Sequence, residues 1–338
     1  MISIHTKPIV SYIENEFEPD ITRFKADLKT NLRKILSHEV VTESWHTDYI
    51  NKIIENHADL ISGLPGKLDE LKRTFDKVKD WEIVSHKDHK KFRDKLIDTM
   101  GYSDRRGDFY PGYFHKIGIR CCVYCNALLT VSVDADTFEE EVKTGTIIRA
   151  KFQVDHFIPK NEYPCFAVSL FNLYPVCGPC NNIKSSRKVN FKLYNEKDKV
   201  ANISNYRFEL KDGCVADYLS SKLNPELLAI IFKDPDKTNP DIFGEGSLVD
   251  TFDINGIYHT QRDIVEELIL KRRIYNESYK TILISAFPDL FNRSGLSDRV
   301  LLGNYTATED IHKRPLAKFM QDIDMFIKSV LPLDPIKE

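Results

Sequence analysis

No apolar run in this chain approaches the ~18 residues that a membrane span requires. The sequence also has no internal repeats and no low-complexity tracts. The N-terminal stretch MISIHTKPIVSYIENEFEPD has no basic segment leading into an apolar one. A secretory leader is therefore not expected, and a cytoplasmic location without membrane association is. A uniformly basic surface is missing as well, because the formal net charge is -3. The basic excess that exists is local. From Lys143 to Lys211 there are 12 Lys/Arg against 5 Asp/Glu, so the remainder of the chain is acidic and a phosphate-binding surface would have to lie in this segment. With 338 residues, 29% of them charged and 42% hydrophobic, the chain has the balance of an ordinary globular protein of about two domains.

An even disulfide framework is also lacking. There are seven cysteines, and four sit in two Cys-x-x-Cys pairs, Cys122/Cys125 in CVYC and Cys177/Cys180 in CGPC. In a reducing compartment that pattern favours a metal over disulfides. Four thiolates make a closed tetrahedral set that suits structural Zn²⁺. Cys121 adjoins Cys122, so either could be the ligand, although the two-residue spacing favours Cys122. Cys165 and Cys214 have no partner in the pattern and read as plain buried residues.

The organisation along the chain is α+β. Residues 1–118 read as a helical domain. Pro19-Asp20 starts a helix running to about His38, with Ile21, Phe24, Leu28, Leu32, Ile35 and Leu36 at helical spacing. Trp45 to Ile54 gives a second helix, ended by Gly63-Leu64-Pro65-Gly66. Leu68 to Val78 and Phe92 to Ile97 give two more. Nothing in these helices looks catalytic, and they suit packing or partner binding. Gly101 to Gly118 reads as an ordered loop.

Residues 119–200 hold the cysteine pairs. ALLTVSV and TIIRAKFQV alternate apolar and polar residues, which predicts a hairpin joined through the acidic stretch Asp134 to Glu141 and Lys143-Thr144-Gly145. Its second strand would deliver Asp155 and His156. A helix is expected from Cys177-Gly178-Pro179, with proline in its first turn, carrying Asn181, Lys184 and Arg187. Residues 201–338 read as mostly helical: a strand over Val249 to Ile254, a long helix from about Thr260 to Ser285 and another from about Lys313 to Val330.

Between the cysteine pairs lie Asp155-His156 in VDHFIPK and Asn172 in FNLYP, with Asn181 directly after the second pair. Asn172 is sixteen positions after His156 and Asn181 twenty-five after it. From about Cys122 to Lys188 the chain resembles the HNH endonuclease family, in the form with asparagine at the third position. The resemblance implies a ββα-metal core, in which a hairpin and a helix clasp one catalytic metal and the four-cysteine zinc staples them together. It implies His156 as general base, Asp155 and Asn181 as metal ligands, and Asn172 as a brace that orients the base.

Phosphodiester hydrolysis needs such a set: a base of near-neutral pKa to activate water, and a cation to stabilise charge on the phosphate oxygens. Incompletely filled oxygen coordination suits Mg²⁺ or Mn²⁺. Lys160, Lys184, Arg187 and Lys188 are candidate phosphate contacts, with Lys184 on the same helical face as Asn181.

The expected substrate is DNA, with structured RNA such as tRNA as an alternative. A non-catalytic zinc-knuckle module binding nucleic acid or protein is the competing class. The segments DHFIPK and CGPCNNIK, followed by VDTFDINGIYHTQRDIVEELILKRR, also resemble HNH subunits of Septu-type and retron-associated anti-phage systems. That implies an ATPase or other regulatory partner.

Overall fold

The computed structural model describes residues 1–139, 142–275, 277–291 and 296–331. Among them, helices dominate and four small two-stranded sheets complete the architecture, so the chain mixes helices with small sheets as expected. In Glu18–Ile35 the buried residues are Ile21, Phe24, Leu28, Leu32 and Ile35, one stripe of an amphipathic helix. Pro19 sits in its first turn with Glu18 and Asp20, while Arg33 and Lys34 lie in the last turn, matching both ends of the helix dipole. Ser44–Glu55, Pro65–Val78 and Lys90–Thr99 bury Tyr49, Phe75, Phe92 and Leu96 in the same way. One contiguous apolar cluster runs from these helices through the cysteine segment to Phe319 and Ile327 near the C-terminus.

Several expected elements come out differently. Gly101 to Gly118 is not a loop: it forms two short helices, Tyr102–Gly107 and Phe109–Ile117, between Gly101 and Gly118, which both have positive φ. The glycine, arginine and aspartate content suggested a loop, but Tyr102, Tyr110, Tyr113 and Phe114 are all buried, and burial of these rings outweighs weak propensity. Val249 to Ile254 is helical, split between Leu248–Phe252 and Ile254–His259. The Ser247 hydroxyl caps the first helix, and the Asp253 carboxylate caps the second from a left-handed conformation. Buried Val249, Thr251, Phe252 and Ile254 occupy both parities, a pattern that cannot be a one-faced strand. The long helix is two, Arg262–Ile274 and Glu277–Ala286. The last expected helix is Ala317–Val330, preceded by a 3₁₀ turn, Thr308–Lys313.

The correction that bears most on function concerns the hairpins. Val131–Glu139 pairs antiparallel with Val142–Lys151, and Lys143 to Gly145 lie within that second strand. Glu140 and Glu141, the end of the expected acidic connector, lie outside the described residues. This hairpin does not carry Asp155 and His156. A bend at Phe152, whose ring packs edge-on against Phe114, interrupts the chain. A separate strand, Gln153–His156, then pairs with Leu173–Val176, placing Asp155 opposite Tyr174 and His156 opposite Leu173. The helix Gly178–Lys184 follows at once, giving a compact strand–strand–helix unit.

Candidate active site and metal centre

The four paired cysteines converge. The sulfurs of Cys122, Cys125, Cys177 and Cys180 lie within 4.8 Å of one another, and all four residues are buried. Cys125 and Cys177 sulfurs are 4.0 Å apart, close to the roughly 3.8 Å edge of a tetrahedron with ~2.3 Å zinc–sulfur bonds. The four thiols share hydrogen bonds that lower the pKa of Cys177 and Cys125 and raise that of Cys122 and Cys180, so it is the convergence of the sulfurs that marks the site. The cluster is close enough to bind a metal, and its donor chemistry suits structural zinc.

Cys121 is not part of it. Its sulfur accepts a hydrogen bond from the Asn126 amide at 2.9 Å and faces the Ile311 carbonyl. Asn126 was not singled out by sequence, yet it organises the first knuckle. It sits at φ 54, donates to the Ile311 carbonyl at 3.0 Å and accepts from the Lys318 amide at 3.1 Å. An asparagine just past a Cys-x-x-Cys turn is suited to that left-handed conformation, which is the signal that could have marked it. Cys165 and Cys214 are buried free thiols.

On the adjoining strand, Asp155 and His156 meet the helix. The His156 ring lies 2.9 Å from the Ala167 carbonyl through Nε2. A carbonyl only accepts, so Nε2 carries the proton and Nδ1 keeps a lone pair. Among the described residues no group is hydrogen bonded to Nδ1. Burial, with a smaller contribution from the Lys160 charge, pushes the His156 pKa down to about 3, well below the near-neutral value expected of the base; the ring is neutral at physiological pH. Asn172 braces the intervening loop: its Oδ1 accepts from the Ile158 amide at 2.7 Å, and its Nδ2 donates to the Ile158 and Phe166 carbonyls at 3.1 Å each. The brace holds Phe166, directly before Ala167, and hence the partner of His156.

The Asn181 amide nitrogen donates to Gln153 at 2.7 Å, which leaves its oxygen as the available ligand atom. Asp155, His156, Asn181 and Lys160 line one cleft of about 350 Å³ with Pro159, Asn161, Ser185 and Ser186. A larger cavity of about 780 Å³ lies elsewhere, between Glu18–Ile35 and the segment after Gly101; it has charges of both signs and none of the motif residues. Convergent chemistry, not size, marks the smaller cleft.

The basic residues separate. Lys160 lines the cleft with its ammonium 4.6 Å from the Tyr102 ring centre, and burial lowers its pKa, with Arg106 adding to the effect. Lys184 is not on a solvated face. It is fully buried, its ammonium 3.1 Å from both Asp155 carboxylate oxygens and 2.9 Å from the His156 carbonyl. Helical spacing suggested the Asn181 side but could not show that Asp155 lies against it. Arg187 lies beyond the helix, which ends at Lys184, and is exposed. Lys188 is exposed and stands over the Trp81 ring at 5.6 Å.

The segment Gly101 to Gly118, read from sequence as a loop, supplies Tyr102. Its ring packs 4.8 Å from the His156 ring centre, and its hydroxyl reaches the Val154 carbonyl at 3.4 Å.

A second group, Glu43, His46 and His89, also brings three potential ligand atoms within 4.8 Å. It is poorly suited to a metal. His46 Nδ1 accepts from the Thr42 and Glu43 backbone amides, so Nε2 bears the proton and has no lone pair to offer. No helix among the described residues is long and apolar enough to cross a membrane.

No protein-family model, curated protein or solved structure matches this chain. The likeness to HNH nucleases therefore rests on the motif residues and their arrangement.

Proposed function

We propose that this chain is a metal-dependent endonuclease of the HNH type, with the strand–strand–helix unit as its ββα-metal core. The observation that carries the reading is the His156 ring: its Nε2 is anchored on the Ala167 carbonyl, and the residue lines a cleft with Asp155, Asn181 and Lys160. A purely structural histidine has no need of that company. Nδ1 of His156 takes the proton from the attacking water, and the hydrogen bond to Ala167 keeps the ring in the accepting tautomer. Asp155 and Asn181 supply the oxygen ligands for Mg²⁺ or Mn²⁺, which when bound stabilises charge on the phosphate and the leaving oxygen. Lys160 reaches the same cleft and holds a phosphate oxygen. The four-cysteine zinc keeps helix and knuckle together. DNA is the favoured substrate, with structured RNA as the alternative.

The test is His156→Ala. Mg²⁺-dependent cleavage of plasmid, single-stranded DNA and tRNA should fall by about 10²–10⁴-fold, while zinc stays bound and the chain stays folded with a somewhat lower melting temperature. Unchanged cleavage would eliminate the mechanism.

One observation favours a second reading, a non-catalytic zinc-knuckle module: Asp155 is already held by Lys184 and by the Tyr124 hydroxyl at 2.6 Å. That reading expects nucleic-acid or protein binding without cleavage by the wild-type chain. A regulatory ATPase partner and a place in phage defence rest on sequence resemblance, and copurification of the chain with its genomic neighbours tests them.

A further inference from the structure

We propose that Lys184 is a resident counter-cation of Asp155 that sets the affinity of the candidate metal site, so that a divalent cation enters only against a pre-existing ion pair. This rests on the metal-dependent reading above and adds to it a device that controls when the site is loaded.

The observations are geometric. The Lys184 ammonium is equidistant from the two Asp155 oxygens, at 3.1 Å, and donates to the His156 carbonyl at 2.9 Å. An ammonium has three donors, and all three are used within the unit. Tyr124, itself fully buried, adds a third donor contact to the carboxylate, 2.6 Å from Oδ2. An ionised carboxylate offers about four lone-pair sites. Lys184 and Tyr124 engage three of them, and the His156 backbone amide also bonds to this carboxylate. Asp155 therefore faces the cleft with its charge already matched and its lone pairs largely taken. A carboxylate free to ligate a metal would instead leave its charge for the incoming ion.

Electrostatics gives the sign. A fixed positive charge beside Asp155 opposes a dication ligated by the same carboxylate, and in a buried setting this like-charge term is little screened. The affinity of the site is lowered while Lys184 stays in place and rises when it withdraws. The backbone offers a route for withdrawal. Lys184 is the last residue of Gly178–Lys184, and Ser185 directly after it holds φ 47 and ψ -114, an unfavourable conformation for a non-glycine residue. Relaxing Ser185 unwinds the last turn and draws Lys184 off the carboxylate. Ser185 and Ser186 line the cleft, so this turn lies where a phosphate or metal would arrive. Asn181, three residues earlier, donates to Gln153 and so is held independently of Lys184.

The experiment is titration of Mn²⁺ by calorimetry into the full chain, with the cysteine cluster kept saturated with zinc. Wild type, Lys184→Gln and Asp155→Asn are compared. Lys184→Gln should reach half-saturation at about tenfold lower Mn²⁺ than wild type. Equal or weaker binding by Lys184→Gln overturns the proposal, because Lys184 would then only position Asp155. If Asp155→Asn binds Mn²⁺ as wild type does, or wild type does not bind it, the metal-dependent reading itself fails, an outcome distinct from failure of the Lys184 proposal. A measurement on the wild-type chain covers poor folding of the variant. Amine labelling read by mass spectrometry should show Lys184 protected without Mn²⁺ and reactive with it. A lysine that stays protected at saturating Mn²⁺ overturns the proposal.

Discussion

Replacing Asn172 by alanine tests whether the loop brace holds the base in position. The residue is 1% exposed, so water cannot readily replace its side chain. Truncation removes the acceptor of the Ile158 amide at 2.7 Å and the donors to the Ile158 and Phe166 carbonyls at 3.1 Å. An orphaned buried amide costs roughly 1–3 kcal/mol, and a carbonyl that loses one of two partners costs less. The sum is about 3 kcal/mol, a depression of the melting temperature of about 4 °C if 338 residues unfold as one unit. The loss should also reach the chemistry, because the carbonyl that orients His156 belongs to Ala167, directly after the anchored Phe166. Asn172→Asp sharpens the test. It keeps an acceptor but loses both donors and aims a buried charge at two carbonyls, so it should be the less stable variant at neutral pH. That gap should narrow as the pH falls and the new carboxyl takes up a proton that it can donate. Thermal unfolding over a pH series, with plasmid cleavage measured alongside, reads both effects. A melting temperature for Asn172→Ala within 1 °C of wild type, or unaltered cleavage, would refute the brace.

Two further predictions concern metal and pH. Cys177→Ser should reduce bound zinc from about one per chain to none by elemental analysis and lower the melting temperature, since ligand binding and folding of the unit are coupled; Cys121→Ser should keep its zinc. Burial lowers the pKa of His156 to about 3 and of His312 to about 4, against ~6.5 in an unfolded chain. Between these values the unfolded state binds protons that the native state refuses. Stability from these groups is thus complete above pH ~6.5 and declines toward pH ~4, by up to about 1.4 kcal/mol per pH unit for each histidine. His312→Gln should flatten that slope in urea midpoints measured from pH 7 to 4, and an unaltered slope would reject the assignment.

Sequence alone determined the features set by short separations. The two Cys-x-x-Cys pairs had to present sulfurs from tight turns, and the four converge as the spacing implied. The long amphipathic helices of the first hundred residues followed from apolar periodicity, because each buries one stripe. Asp155, His156, Asn172 and Asn181 could be picked out by residue type and spacing, and Asp155, His156 and Asn181 do share a cleft.

Pairing and burial were decided by contacts between distant parts of the chain. The strand bearing Asp155 and His156 pairs with Leu173–Val176 and not with its sequence neighbour, because the bend at Phe152 ends the first hairpin. Tyr102, fifty-four positions before His156, packs against its ring only once the N-terminal helices dock. Asn126 settled Cys122 over Cys121 by engaging the Cys121 sulfur and the C-terminal segment together. Lys184 marks the boundary most clearly: helical periodicity gives its face, but whether a lysine meets solvent or a carboxylate depends on what the rest of the fold places beneath it. Here that is Asp155, and a buried carboxylate demands a cation.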